Sequence, residues 1–301
     1  MRVQLITRDN GLGLSHDVRV LRSALVGISG DRMEVISTDW TGPVRTDRFD
    51  LNIFLELVNP AHFKSAKRNV LVPNPEWFAS EWRRHLSGFD EVWAKTRDCE
   101  RIFQSLTPGR VRFTGWTSDD RMDPTVAKER KLLHVAGGSS AKGTTAVLEA
   151  MRRLPHHHLA IISSRPIMSA PPNVTVLGRQ SDKDLRDLMN SHAIHLCPSS
   201  YEGFGHYLNE ARSVGAFIVT TNAEPMSELV TADFGIGAGV AHTSAQNLAV
   251  HKHVDPVSLA RCIDLAIGVP LEVLTGLGKR AREAYELEAL DFEHRLIDLL
   301  Q

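Results

Sequence analysis

Two carboxylates, Glu202 and Glu210, flank the small and aromatic residues Gly203, Phe204 and Gly205 in a stretch that follows the apolar run ending at Cys197. The run reads as a buried strand, the small residues as a turn, and the helical period starts near Gly205. In an open α/β domain such a loop lies at the carboxyl edge of the sheet, where ligands bind. Gly203 and Gly205 let the backbone come close to a ligand, and unpaired amides at the positive end of a helix suit a diphosphate. Glu210 falls about a turn and a half into the helix, where a carboxylate can accept hydrogen bonds from sugar or ribose hydroxyls. Glu202, on the loop, can face the same pocket from the other side.

Other clusters carry weaker chemistry. His156, His157 and His158 are consecutive, so they cannot all face one ion on a regular element, and they follow Pro155 at a helix-to-strand turn. His251 and His253 alternate beside Lys252 without further ligand types. Asp182-Lys183-Asp184 has the letters of a D-x-D metal motif, but Ser181 precedes it as an N-cap, so the two acids are expected to complement a helix dipole. No metal site is expected. Gly11 and Gly13 fall short of a dinucleotide fingerprint because His16 stands where a third glycine belongs. Asp119 and Asp120 read as a solvated hinge.

The elements that must position these residues form a regular series. Residues 3–7, 34–37, 51–55, 69–72, 91–94 and 110–114 read as strands, with helices at 16–26, 80–86 and 97–106. A polar stretch closed by Pro124 follows and serves as a linker. Strands are expected again at 132–136, 158–163, 174–177, 193–197 and 217–221, with helices at 144–153, 185–191 and 208–214. Such alternation marks parallel α/β layers. The expected architecture is two Rossmann-like domains, residues 1–118 and 125–275, joined by a linker at 119–124 and followed by a C-terminal helical segment, 276–301, packing across a domain surface.

Bulk properties agree with this division. A chain of 301 residues exceeds what one hydrophobic core usually supports. A net charge of -1 offers no global field for DNA, RNA or an anionic membrane. Cys99, Cys197 and Cys262 are scattered and odd in number, which argues for a reducing compartment and against a disulfide framework. The N-terminus lacks a signal-peptide apolar run, and no stretch approaches the roughly 20 apolar residues of a membrane span. A cytoplasmic location is the expectation.

From Lys142-Gly143, through residues 173–178 and 184–189, to Glu202, Glu210, residues 211–222 and 225–229, the chain resembles the GT-B glycosyltransferases of family four, the group 1 glycosyl transferases with an E-x7-E motif. The resemblance covers about 100 residues with the order of motifs intact. It implies a GT-B fold with two Rossmann-like domains facing a central cleft, and a retaining, metal-independent, hexosyltransferase-like reaction that uses a nucleoside diphosphate sugar and no cofactor. It implies that Glu210 holds the donor ribose, that the amides of Gly203, Phe204 and Gly205 hold the diphosphate, and that Glu202 holds a hydroxyl of the transferred sugar. Lys142 would neutralise the diphosphate, next to the close backbone approach allowed by Gly137 and Gly138. The basic residue commonly found shortly after the first strand of the donor domain is absent from residues 136–141. On the acceptor side the candidates are Asn10, Gly11, Gly13 and His16, after the first strand, and Asn74 and Glu76, after another.

Two other readings keep the same fold. One is a different GT-B reaction, such as a sugar-nucleotide epimerase. The other is a catalytically weak nucleotide-sugar-binding protein, favoured by the missing basic residue near Gly137 and opposed by Glu202, Glu210 and Lys142. The sequence leaves open the sugar, the nucleotide, the oligomeric state and the acceptor, which could be a glycan, a small molecule, a protein or a modified nucleic acid.

Overall fold

The computed structural model describes residues 1–11, 13–46 and 48–301, apart from the side chain of Asp31. The chain divides into two compact units. The first comprises Met1–Ser118, Gln246–Ala249 and Glu288–Gln301; the second comprises Asp119–Ala245 and Val250–Leu287.

In the first unit the apolar runs become β1 (Arg2–Thr7), β2 (Glu34–Asp39), β3 (Phe49–Leu55), β4 (Ala66–Val72), β5 (Glu91–Ala94) and β6 (Val111–Phe113), with α1 (Gly13–Ser29) and α2 (Arg97–Gln104) between them. All pairings are parallel and the order is β2-β1-β3-β4-β5-β6. Leu5, Ile6, Ile53, Phe54, Val70 and Leu71 are fully buried, as expected of strands covered on both faces. The strand order changes direction between β1 and β3, which makes that gap the topological switch point. One expected helix differs: Ser80–Gly88 winds as a 3-10 helix. Only Leu86 of its side chains is buried, and a short segment with so little apolar face gains little from regular α-helical winding.

The second unit holds β7 (Glu129–Gly137), α3 (Thr144–Arg152), β8 (Leu159–Ser163), β9 (Val174–Leu177), α4 (Asp182–Ser191), β10 (His192–Cys197), α5 (His206–Ser213), β11 (Phe217–Thr221), α6 (Met226–Leu229) and β12 (Gly235–Ala238). Its sheet is also parallel, in the order β12-β11-β10-β7-β8-β9, so the switch point lies between β7 and β10. Beyond these elements come a two-stranded ribbon, β13 (Val240–Gln246) and β14 (Ala249–Val254), and two helices, α7 (Pro256–Gly268) and α8 (Leu271–Leu300). Sequence patterning assigned neither the ribbon nor α7. The ribbon is polar and β13 is largely exposed, so no apolar alternation marks it. The start of α7 did carry a signal: Asp255 caps the amides of Val257 and Ser258, with Pro256 at the first turn.

Residues 119–124 are tied into the second unit. The Asp120 carboxylate accepts from Arg282 at 2.7 Å, the Arg121 amide donates to Ser213 Oγ at 3.0 Å, and the Asp123 amide donates to Asn190 Oδ1 at 2.9 Å. Asp120 is therefore ion-paired, where a solvated hinge acid was expected. The α8 helix begins earlier than its charged segment suggested. Its Gly278 packs so closely on Gly215 that an added Cβ would come within 2.1 Å of the Gly215 carbonyl oxygen. Within the first unit, its Phe292 ring lies 4.9 Å from that of Trp116. No helix among the described residues is long and apolar enough to cross a membrane.

Candidate functional site

Two loops meet at the switch point of the second unit, one leaving β7 and one leaving β10. Gly143 has a φ of +71° and lies against Pro198, where a Cβ would stand 2.1 Å from the Pro198 carbonyl oxygen. The Ser200 amide donates to the Ala141 carbonyl at 2.8 Å. From the neighbouring strand β11, Thr220 Oγ1 donates to Cys197 O at 2.9 Å and Thr221 Oγ1 to Ser199 O at 2.7 Å. The loops are thus fixed by backbone bonds, leaving their side chains to meet a ligand.

Lys142 ends the loop from β7. Its Nζ lies 2.7 Å from Glu202 Oε1 and 3.7 Å from the centroid of the Tyr207 ring. The Ser199 hydroxyl donates to the same Glu202 oxygen and stands 2.5 Å from the Tyr207 hydroxyl. Burial pushes the Tyr207 phenol well above its ordinary range, so it stays protonated. The Lys142 and Glu202 side chains are 19% and 12% exposed. A cation in this half-dry setting interacts more strongly with an anion than it would in open water. It can exchange a Glu202 oxygen for a phosphate oxygen, because the ammonium carries three donors.

Glu210 lies three residues after Tyr207 on α5, hence on the same helical face. Its Oε1 is 3.6 Å from Arg121 Nε, and Arg121 Nη1 is 2.5 Å from Asp182. Glu202 and Lys142 therefore share one cluster, while Glu210 belongs to a second, one helical turn along, organised by Arg121. Gly205 precedes α5 with a φ of +105°, a conformation suited to glycine. The first amides of such a helix have no intrahelical acceptor. Phe204 is buried, so its ring anchors the loop and only its backbone is available to a ligand.

Gly137, with a φ of +57°, ends β7 and borders a cavity of about 410 Å³ that is also lined by Ser139, Ser140, Thr144 and Arg165. An added Cβ at Gly138 would meet Ser164 Oγ at 3.1 Å. His134, inside β7, bonds Leu196 O through Nδ1 at 2.7 Å and Thr144 Oγ1 through Nε2 at 2.9 Å. Burial pushes its pKa down to about 4, with the Leu196 carbonyl opposing and Lys142 reinforcing that shift. His134 is a neutral cross-strand pin. The Ser181 hydroxyl caps α4 by accepting from the Asp184 amide at 3.1 Å. His157 Nε2 lies 3.0 Å from Asp264.

Sequence reading did not single out Ser199, Tyr207, Arg121 or Arg165. Only Tyr207 carried a local signal, its i,i+3 spacing from Glu210.

In the first unit the Asn10 and Gly11 amides donate to Ser15 Oγ at 3.1 and 2.8 Å, and Ser15 Oγ lies 2.5 Å from Asp9. Gly11 has a φ of +62°, Gly13 opens α1 and His16 stands half-buried in its first turn. Asn74 is buried and donates to Glu56 Oε2 at 2.8 Å. The Glu76 carbonyl accepts from Asn247 Nδ2 at 2.7 Å and Gln246 Nε2 at 3.0 Å. Asn10, Gly11, Gly13 and His16 thus cluster after β1, and Asn74 after β4. Glu76 faces residues 246–247 through its backbone.

Comparisons with known proteins bear on both the fold and the loop. Residues 168–253 match the family model described as Glycosyl transferases group 1, a segment that contains Glu202 and Glu210 and begins after Lys142. No curated protein matches the chain in sequence. Among solved structures it resembles a glycosyltransferase from Rickettsia africae, with a TM-score of 0.73 and 12% identity over 99% of this chain and 97% of that one. It resembles the sucrose-phosphate synthase of Thermosynechococcus elongatus with a TM-score of 0.73 and 15% identity over 99% of each chain. It also resembles HepE from Anabaena in complex with UDP-glucose, with a TM-score of 0.72 and 14% identity over 100% of this chain and 99% of that one. The fold is that of the GT-B glycosyltransferases: two parallel six-stranded α/β sheets and a long C-terminal helix.

Proposed function

We propose that this protein is a retaining glycosyltransferase that moves a sugar from a UDP-type nucleoside diphosphate sugar to a hydroxyl acceptor. The observation that carries the reading is the Lys142 ammonium, held 2.7 Å from Glu202 where two glycine-shaped loops meet at a sheet switch point. The match of residues 168–253 and the UDP-glucose bound to the similar Anabaena protein support it.

On this reading Lys142 and the first amides of α5 hold the diphosphate. Glu210 accepts from the ribose hydroxyls, and Glu202, once Lys142 turns to phosphate, accepts from a hydroxyl of the sugar. Gly137 and Gly138 allow the backbone to approach the donor. Arg165, which lines the cavity beside Gly137, supplies the basic side chain that residues 136–141 lack. The bond from the anomeric carbon to the diphosphate breaks, with its electron pair leaving on the phosphate oxygen. The acceptor oxygen bonds that carbon on the same face, and its proton passes to the departing diphosphate. Preorganised cationic and amide stabilisation of the leaving group is the main catalytic term. Lys142, Arg165 and the helix amides offset part of the diphosphate charge, and the reading calls for no divalent metal. The first unit, with Asn10, Gly11, Gly13, His16, Asn74 and Glu76 among its candidates, selects the acceptor.

A thermal-shift screen over nucleotide sugars tests the reading. A donor at about 100 times its Kd adds about 2.7 kcal/mol of stability. Stabilisation by UDP-glucose and UDP, with slow release of UDP from UDP-glucose, is expected. Binding without UDP release in the presence of any acceptor would favour the binding-protein reading.

A further inference from the structure

The switch point of the first unit carries a second constellation, of which sequence reading named Asn74 but neither Arg8 nor Glu56. Three side chains leave the carboxyl ends of three adjacent strands: Arg8 after β1, Glu56 after β3 and Asn74 after β4. Arg8 Nη2 lies 3.3 Å from Glu56 Oε1, and Asn74 Nδ2 donates to Glu56 Oε2 at 2.8 Å. Both oxygens of one carboxylate are thereby aimed, one by each neighbour. Glu56 is 4% exposed and has a φ of +67°, in a tight turn closed by the Leu57 amide on the Leu55 carbonyl at 2.8 Å. A non-glycine residue in that conformation costs stability and persists where its surroundings demand it.

The chemistry left over is specific. Since a carboxylate only accepts, the Asn74 amide must turn its NH2 to Glu56, and its Oδ1 is forced to look elsewhere. That Oδ1 is buried with no hydrogen-bond partner, on a residue 9% exposed. A buried acceptor without a donor is costly, and a ligand that brings donors removes the cost. The Glu56 carboxylate keeps further lone pairs beyond those two contacts. The Arg8 side chain, 46% exposed, adds donors at the entrance.

We propose that Glu56, Asn74 and Arg8 bind a neutral, hydroxyl-rich ligand, a sugar or polyol, whose hydroxyls donate to Glu56 and Asn74 Oδ1 and accept from Arg8. Resting on the transferase reading above, this ligand is the glycosyl acceptor, and Glu56 is its specificity-determining residue. An anionic ligand would be repelled by Glu56. An aliphatic one would leave Asn74 Oδ1 unpaired.

Saturation-transfer NMR with the full chain, using myo-inositol, methyl α-D-glucoside and methyl α-D-galactoside as probes in the presence and absence of UDP, tests it. At least one probe binds the parent, and Glu56→Gln and Asn74→Ala each weaken it at least tenfold while UDP affinity stays parental. Arg8→Gln, at a half-exposed side chain that leaves the fold intact, weakens the same probe by a smaller factor. The proposal is overturned if no probe binds the parent, or if the folded variants bind as the parent does. A loss of UDP affinity equal to the loss of probe affinity in Glu56→Gln overturns it too, by making Glu56 part of the donor site. Glu56-dependent probe binding in a parent that does not bind UDP would sink the transferase reading and leave the sugar site standing.

Discussion

The two sheets differ in strand order, yet each has one switch point where that order reverses, and the two points carry different chemistry. In the second unit the loops after β7 and β10 present an ammonium and the amides at the start of α5, groups suited to an anion. In the first unit the ends of β1, β3 and β4 present a carboxylate and an amide oxygen without a partner, groups suited to hydroxyls. Topology fixes where a parallel sheet binds its ligand, and a few side chains on the strand ends decide which ligand it is.

The largest expected difference between the units is their response to acid. His134 and His195, on the strands flanking the second switch point, are fully buried and pushed down to about 4 and about 3, mainly by desolvation. Their folded pKa values lie below the ordinary 6.5, so the unfolded chain protonates first. Stability from the neutral forms is fully present above pH 6.5 and is lost as pH falls through about 4. The linkage slope reaches about 1.4 kcal/mol per pH unit for each histidine. All five Trp residues lie within 1–118, so Trp fluorescence reports the first unit alone. Far-UV circular dichroism should therefore fall at a higher pH than Trp fluorescence changes; coincident transitions would count against a separately acid-sensitive second unit.

Glycines sharpen the contrast. Gly143→Ala meets both a φ of +71° and a carbonyl oxygen 2.1 Å from the new Cβ, so it should cost on the order of 3 kcal/mol in urea unfolding. Gly11→Ala, at a φ of +62° with open space around it, should cost only about 1 kcal/mol. Equal costs would mean that the β7 and β10 loops are not locked together.

Glu210→Ala should weaken UDP by about 1.5–3 kcal/mol, the range for hydrogen bonds to a charged group, and titration calorimetry reads this directly. Parental affinity would remove Glu210 from the donor site. At the small end, excess EDTA should leave transfer from UDP-glucose unchanged. Loss restored by manganese or magnesium would overturn the proposed metal independence.

Much of this fold was legible because buried parallel strands read as apolar runs: residues 3–7, 132–136 and 193–197 became the cores of β1, β7 and β10. The ribbon β13–β14 escaped because its exposed residues have no apolar period. At the candidate site, Glu202 and Glu210 stood out by spacing, and Lys142 by the glycine that follows it. Arg121 was hidden in a polar stretch that composition cannot distinguish from a linker, and its contact with Glu210 spans 89 positions. Glu56 reads as an ordinary residue after a strand. Its left-handed backbone is one that glycine or asparagine would have announced.

One measurement bears most directly on the proposed contrast between a donor switch point and an acceptor switch point: calorimetric titration of UDP into the parent, Lys142→Ala and Glu56→Gln. Removing a charged hydrogen bond should cost Lys142→Ala about 1.5–3 kcal/mol, more than tenfold in Kd. Glu56→Gln should bind UDP as the parent does. Parental UDP affinity in Lys142→Ala, or a tenfold loss in Glu56→Gln, would contradict the assignment of the nucleotide to the second unit.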